Sequence, residues 1–181
     1  IIGFRNPRGY REKWMIPMVG CVEFNRRDVT IDPYTMGALI GNGDSRCRIT
    51  VCDKEILDRI PYEKGKQDVT YRGNAVTYTI KGIKRLYHAY GLNCKSIEKF
   101  IPEDYLYNTK NVRLELLRGM MDTDGCCTKD GDNKYSSSSY RLIKDFMGLV
   151  ESLGGLCGKV VVEEPGHDII NGREIFRQEH F

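Results

Sequence analysis

Asp124 is the residue whose type and position most clearly suggest chemistry in this 181-residue chain. It stands in the last turn of a predicted helix that Gly125 ends as a left-handed stop signal. The negative end of a helix dipole disfavours a carboxylate unless a cation lies beside it. A carboxylate together with the free carbonyl groups of a helix end forms an oxygen-rich ligand set that suits Mg²⁺. The sequence therefore predicts a cation site at the foot of this helix.

A second segment, residues 35–43, repeats the spacing of residues 117–125. In both segments a glycine, Gly37 or Gly119, stands six places before the closing glycine, and a small residue stands two places before it. Small residues four apart make a smooth helix stripe against which another backbone can pack closely. Either copy alone is typical of an ordinary core helix, but matching offsets in two copies favour a pair of helices that face each other.

The foot of the first helix carries an amide, Asn42, where the second helix carries Asp124. Two facing stripes would bring these helix ends side by side and place the two side chains next to each other. The predicted metal ligands are the residues at the two ends: Asp124, Asn42, Gly41 and Thr123.

The helices that position this site are predicted from apolar periodicity and from their caps. Asp32 and Pro33 begin the first helix as N-cap and first helical residue, and it runs to Gly41. Further helices are predicted at 53–60, 83–90, 111–124 and 141–153, and a linker at 103–105. Strands are predicted at 46–52, 68–71, 75–80, 135–139 and 156–163, and a hairpin with its turn at 171–172 over residues 169–176. Each half reads as helix, strands and helix, an internal duplication of a mixed α/β unit. The predicted division is a basic, irregular N-terminal extension (1–30), a first repeat (31–100) and a second repeat (101–181).

Composition narrows the class of protein. A hydrophobic content of 40% supports one substantial core, and a net charge of +3 does not by itself imply a nucleic-acid partner. Seven cysteines without a zinc-site spacing predict free thiols in a reducing compartment, the cytoplasm of a microbe or phage-infected cell, or an organelle. No segment is apolar enough to cross a membrane and no signal peptide is visible, so no membrane partner is expected. A start at Ile1 indicates a piece of a longer chain.

Residues 117–125, LRGMMDTDG, closely resemble the nine-residue signature of the LAGLIDADG homing endonucleases. Residues 36–43, MGALIGNG, are similar to the first signature of the two-motif, single-chain members. The flanking residues 101–102 and 149–155 are similar to those of endonuclease domains embedded in inteins. The resemblance covers residues 30–178, without the self-splicing blocks of an intein.

The resemblance implies an α+β fold of two pseudo-symmetric αββαββα repeats. They would pack through their motif helices about a pseudo-dyad within a monomer, and their sheets would form a saddle-shaped surface over double-stranded DNA. The acidic residue at the foot of each motif helix would bind Mg²⁺, with Ca²⁺ or Mn²⁺ as substitutes, and would serve the scissile phosphate of one strand. The protein would thus hydrolyse phosphodiester bonds on both strands of a long target site. The domain would be excised from a host protein as part of an intein.

Asn42 departs from the family pattern, which has an aspartate there, and the loss of one anionic ligand weakens a shared metal site. Two explanations remain open: a deliberate change that traps an uncut DNA complex, or a naturally decayed copy. We expect a chain that binds its DNA site but cuts it poorly or nicks one strand. Asn42→Asp is expected to recover Mg²⁺-dependent double-strand cleavage, and Asp44, beyond the helix end, is not expected to substitute.

Other candidate residues are carried over from the family or from their charge. Lys159 stands where the family often has a lysine near the scissile phosphate, and an exposed strand lysine is the alternative. Asp122 is expected to have a structural role. The predicted DNA-binding residues lie on or beside predicted strands: Arg46, Arg48, Arg72, Lys129, Lys134, Arg173 and Arg177.

Two further functions remain open. The first is a non-cutting DNA-binding relative or an RNA intron maturase, because maturases share the motifs. The second is a purely structural α/β domain, which would show no phosphate binding and no strong salt dependence.

Overall fold

The structure is a computed structural model that describes residues 2–5, 12–15, 18–70, 75–129, 131–163, 165–170, 173–177 and 181. The helices are α1 (Pro33–Asn42), α2 (Lys54–Asp58), α3 (Lys84–Ala89), α4 (Glu103–Leu106), α5 (Lys110–Asp124) and α6 (Tyr140–Ser152). The strands are β1 (Ile2–Arg5), β2 (Glu12–Met15), β3 (Arg48–Val51), β4 (Lys64–Thr70), β5 (Val76–Ile80), β6 (Gly125–Cys127), β7 (Asn133–Tyr135), β8 (Gly166–Ile170) and β9 (Arg173–Arg177). No helix in these ranges is long and apolar enough to span a bilayer.

The two motif helices, α1 and α5, form where the sequence predicts them. The Asp32 carboxylate accepts a hydrogen bond from the Thr35 amide at 2.9 Å, which caps α1, and Pro33 occupies the first helical position. The predicted left-handed stop at Gly125 is wrong, because this residue has an extended backbone (φ −81°, ψ 155°). Glycine is needed there for space, since a Cβ would lie 2.4 Å from the Met121 carbonyl oxygen.

Helices α1 and α5 pack so closely at their glycines that their backbones are in contact, as the repeated spacing of small residues predicts. A Cβ on Gly37 would lie 2.1 Å from the carbonyl oxygen of Leu116, and a Cβ on Gly119 equally close to that of Tyr34. Seven of the ten residues of α1, residues 34–40, are buried, and α5 contributes the fully buried Leu116 and Met120 to the same core. The pair of helices is therefore the centre of the fold.

Small antiparallel sheets follow each motif helix. The first half contains a three-stranded sheet in the order β3-β5-β4, and the second half contains the hairpins β6-β7 and β8-β9. In both halves the glycine that follows the motif helix pairs with a later residue. In the first half Gly43 forms an isolated bridge with Ile49, and in the second half Gly125 pairs with Tyr135 in the β6-β7 hairpin. The fold is mixed helix and sheet, and the saddle-shaped surface with its pseudo-dyad stays a prediction.

Several predicted elements are wrong. Residues 103–105 belong to α4, not to a linker. The predicted strand 135–139 reaches no further than Tyr135, because Ser139 caps α6 by accepting from the Leu142 amide at 3.2 Å. The described residues of 156–163 form no strand and leave Leu156 and Val161 exposed, since β-branched residues need a pairing partner to form one.

The N-terminal extension is neither wholly irregular nor separate. Strands β1 and β2 form an antiparallel hairpin. Residues 18–30 are held by the fully buried Arg113 of α5, which donates to the carbonyl oxygens of Val22 and Ser152 and stacks over the Phe24 ring. The boundaries predicted at residues 30 and 100 stay predictions.

Candidate active site at the ends of the motif helices

A cavity of about 540 Å³ opens where α1 and α5 end. Gly41, Asn42 and Asp124 all line it, so the structure brings three of the four predicted ligands to one space. Its other walls are polar: Gly43, Asp44, Arg48, Thr50, Thr77, Ser96, Lys99 and the serines 136–138, with Ile40 as an apolar member.

Asp124 is half-buried in this cavity, and within the described part of the chain its carboxylate accepts no hydrogen bond. Burial raises the pKa of Asp124, because a carboxylate loses solvation there, and the positive charge of Lys99 lowers it in part. Asp124 is thus an acid whose charge is stabilised through space by one lysine.

Asn42 is exposed at the end of α1, and its amide nitrogen donates to the carbonyl oxygen of Thr50 at 2.6 Å. This contact ties the end of α1 to strand β3. A carboxylate at this position has no proton to donate, so Asn42→Asp would lose the bond and add a negative charge to the cavity.

The other two predicted ligands already have partners. The hydroxyl of Thr123 lies 3.0 Å from the Gly119 carbonyl and 3.1 Å from that of Met120, to which it donates. The Gly41 carbonyl accepts a hydrogen bond from Lys99 at 2.9 Å. The metal role predicted for Thr123 and Gly41 stays a prediction, because the Thr123 contacts involve its hydroxyl and not its helix-end carbonyl, and the Gly41 carbonyl is shared with Lys99.

Lys99 is the residue of this site that the sequence analysis missed. Only 6% of its surface is exposed, and burial lowers its pKa while the charge of Asp124 raises it. Its ammonium group donates to carbonyl oxygens at the end of α1, those of Ile40 (2.8 Å), Gly41 (2.9 Å) and Gly43 (2.8 Å). A lysine directly before the apolar pair Phe100 and Ile101 was the signal that could have indicated burial.

The second half of the chain holds the backbone around Lys99. The Ser139 hydroxyl donates to the Lys99 carbonyl oxygen at 2.7 Å, and the Asp145 carboxylate accepts from the Ile101 amide at 2.9 Å. Both partners belong to α6 or its N-cap. Lys99 therefore joins the end of α1 to the start of α6.

Asp44 is fully engaged with its own loop. Its carboxylate accepts from the Arg48 side chain at 2.7 Å and from the amides of Arg46 and Arg48. Burial alone would raise the pKa of Asp44, but these hydrogen bonds together hold it below the ordinary value. The contacts agree with the expectation that Asp44 does not replace an acid at position 42.

Asp122 has structural contacts, as expected. Its carboxylate accepts from the Tyr34 hydroxyl at 2.8 Å and from Arg59 at 3.0 Å, so it joins α1, α2 and α5. Burial, with the Asp122 carboxylate, raises the pKa of Tyr34. Lys159, in contrast, is exposed in a segment without regular secondary structure and does not line the cavity, so its predicted catalytic role stays a prediction that its position does not favour.

The predicted DNA-binding residues are spread over several surfaces. Arg46 is exposed in the turn before β3, whereas Arg48 on β3 is paired with Asp44. Lys129 and Lys134 are exposed in and beside the β6-β7 hairpin. Arg173 and Arg177 lie on β9, and Arg72 lies outside the described residues.

Tyr135 lies opposite Gly125 in the β6-β7 register and stacks on Phe146 at 4.2 Å between ring centroids. Its hydroxyl is buried and has no hydrogen-bond partner among the described residues. Burial, and to a lesser degree the Asp124 charge, raises the pKa of this hydroxyl.

The two helix ends supply few charged ligands for a divalent cation. Ca²⁺ sites usually hold more than one carboxylate, whereas Mg²⁺ is bound through one or two carboxylates together with waters and substrate phosphates. Within the described ranges, no group of three or more His, Cys, Asp or Glu side chains could hold a metal ion. The Gly41 carbonyl is shared with Lys99, and Asp124 is the one carboxylate that the two motif-helix ends supply.

Comparison with known proteins places a family domain on the second half of the chain. Residues 111–157 match the model of a LAGLIDADG-like domain, and this match includes all of α6 and all of α5 except Lys110. The replicative DNA helicase DnaB of Mycobacterium intracellulare is 34% identical over 132 residues, which are 72% of this chain and 20% of the helicase. The chain thus spans about a fifth of the length of this relative.

Proposed function

We propose that this chain is a DNA-binding domain of the LAGLIDADG homing-endonuclease type, with impaired cleavage of its duplex target. The observation that carries the proposal is the close packing of α1 and α5, which ends at one cavity with an acid on one helix and an amide on the other. The LAGLIDADG-like match on residues 111–157 supports the nuclease class.

An intein is the proposed setting of this domain. The matched region amounts to a fifth of the helicase, which is the extent that an inserted domain would have in a larger host protein. The proposed active form is a monomer with an internal pseudo-dyad, because both motif helices belong to one chain.

Impaired cleavage follows from the side chains at the cavity. Phosphodiester hydrolysis needs an activated water and stabilisation of negative charge on the phosphate. Asp124 can orient a water, but Asn42 supplies no second carboxylate and its amide nitrogen is bonded to Thr50. The geometry favours nicking of one strand or binding without cleavage.

Duplex binding is the first test, since it needs no knowledge of the cut. The wild-type chain is used to select from a randomised duplex library, and affinity for the selected site is measured over a range of salt concentrations. We expect Kd to rise steeply with salt because lysines and arginines release phosphate counterions. Binding that is weak and insensitive to salt would contradict the proposal, and tighter binding of folded intron RNA would favour a maturase.

The predicted DNA face supplies a matched pair of variants. Lys129→Gln with Lys134→Gln changes two exposed lysines at the β6-β7 hairpin, and Lys54→Gln with Lys84→Gln changes two exposed lysines on α2 and α3. The hairpin variant is expected to weaken binding and to reduce the salt slope by about one for each phosphate that a lysine no longer neutralises. The control variant is expected to bind as the wild type does.

Cleavage is tested on the selected site with supercoiled plasmid, which separates nicked from linear products. Asn42→Asp is expected to increase Mg²⁺-dependent cutting relative to the wild type, because it restores the missing acid. Unchanged cutting by this variant on a confirmed site would contradict the role given to position 42.

A further inference from the structure

We infer that the ammonium group of Lys99 is the resident cation of the wild-type site, where Asp124 is the one carboxylate that the two motif-helix ends supply, so that the wild-type chain binds DNA without a divalent cation. The inference rests on the proposed function only where it concerns DNA.

The hydrogen bonds of Lys99 account for all of its donors. An ammonium group has three N–H donors, and three carbonyl oxygens at the end of α1 lie 2.8 to 2.9 Å from Nζ. One of these oxygens belongs to Gly41, beside Asn42. A carbonyl oxygen has two lone pairs, so a divalent cation on the same helix-end oxygen would lie directly beside the ammonium group and be repelled by it.

The charges of the cavity are balanced without a metal ion. Lys99 is positive and Asp124 negative, and each influences the other across the cavity. Asp44 and Arg48 form a second pair with each other, and Asn42 is neutral. A divalent cation would leave two excess positive charges in a partly buried site, which is costly where ions are poorly solvated.

Lys99 is also fixed in place, unlike a surface lysine that could swing into water. Its side chain is almost fully buried, and Ser139 holds its backbone carbonyl. Displacement of the ammonium group would therefore leave a buried charge with no ligands, or require movement of the segment that α6 anchors.

Metal titrations of the full chain test the inference without DNA. Tb³⁺ luminescence and Ca²⁺ calorimetry are recorded for the wild type, for Asp124→Asn, and for Asp58→Asn, a control that changes an exposed carboxylate on α2. We expect no saturable binding that depends on Asp124. A one-to-one site that is present in the wild type and in Asp58→Asn but absent from Asp124→Asn would overturn the inference.

A Lys99→Met variant tests whether the lysine keeps a divalent cation out of the wild-type site. This variant frees the helix-end carbonyls and removes the positive charge, so we expect it to gain saturable, Asp124-dependent Ca²⁺ binding that the wild type lacks. A folded variant with no gain would count against the inference. If Lys99→Met does not fold, the wild-type and Asp124→Asn titrations decide it.

Duplex binding completes the experiment. We expect the same Kd for the selected DNA site in a chelator and in Ca²⁺, and a Kd that falls sharply with Ca²⁺ would oppose the inference. Failure to bind any duplex would refute the proposed function instead, and the metal titrations, which contain no DNA, would still decide the identity of the cation.

Discussion

Gly37 and Gly119 lie at one crossing of α1 and α5, each against the backbone of the other's helix. The atoms that exclude a side chain from either position are main-chain atoms, which cannot move aside as the end of a flexible side chain can. These two glycines therefore set the separation of the helices and, with it, the meeting of their ends at the cavity.

Alanine at Gly37 or Gly119 is expected to lower the free energy of unfolding by about 3 kcal/mol or more, because the helices must move apart to admit a methyl group. The measurement is urea denaturation followed by circular dichroism. Gly148→Ala is the matched control, since this glycine lies within α6 with nothing within 4 Å of an added Cβ. It is expected to stabilise the protein by about 0.5–1 kcal/mol, and similar effects at all three positions would contradict the close packing.

Replacement of Lys99 by methionine is expected to reduce the free energy of unfolding by about 3 kcal/mol, because the helix-end carbonyls lose their donors inside the protein. Thermal and urea denaturation measure the change. Lys54→Met, which alters an exposed lysine on α2, is expected to stay within about 0.5 kcal/mol of the wild type. Equal stabilities of the two variants would show that Lys99 does not cap α1.

Removal of the Tyr135 hydroxyl is expected to stabilise the protein. Tyr135→Phe keeps the stacking on Phe146 and removes a buried polar group without a partner among the described residues, which predicts a gain of about 1 kcal/mol. Tyr105→Phe is the control in the opposite direction, because the Tyr105 hydroxyl is bonded to the backbone of Ile31 at 2.8 and 3.1 Å. A loss of stability in Tyr135→Phe would reveal a partner for its hydroxyl.

The Asp44 carboxylate is expected to make part of the stability dependent on pH. Its pKa in the folded state lies below the ordinary 3.8, so its contribution is complete above that value and is lost as pH falls through the folded pKa. The difference in free energy of unfolding between the wild type and Asp44→Asn should therefore be constant above about pH 5 and shrink in stronger acid. Urea titrations at a series of pH values measure this difference, and a difference that does not shrink in acid would contradict the role given to these hydrogen bonds.

Local sequence signals predicted the motif helices well because their determinants lie within a few residues. Asp32 caps α1 by accepting a hydrogen bond from the backbone amide three residues later. The positions of the glycines within the two motifs predict where the helix backbones come into contact. The pairing of α1 with α5 could be inferred for the same reason, because small residues along one face of each helix allow the other helix to pack closely against it.

Long-range contacts decided what the sequence analysis missed. Lys99 donates to carbonyl groups 56 to 59 residues away in the chain, and no local pattern states which helix end a lysine will reach. At residues 156–163 the sequence analysis predicted a strand that the structure does not form. Their β-branched composition favours a strand only where a neighbouring strand can pair with them.

The double attachment of residue 99, by its side chain to α1 and by its backbone to the cap of α6, also bears on how such proteins can be recombined. A chimera that joined the first half of this chain to the second half of a relative would separate the lysine from Ser139 and Asp145. An exchange of halves between relatives would therefore have to carry these two anchors along with the lysine.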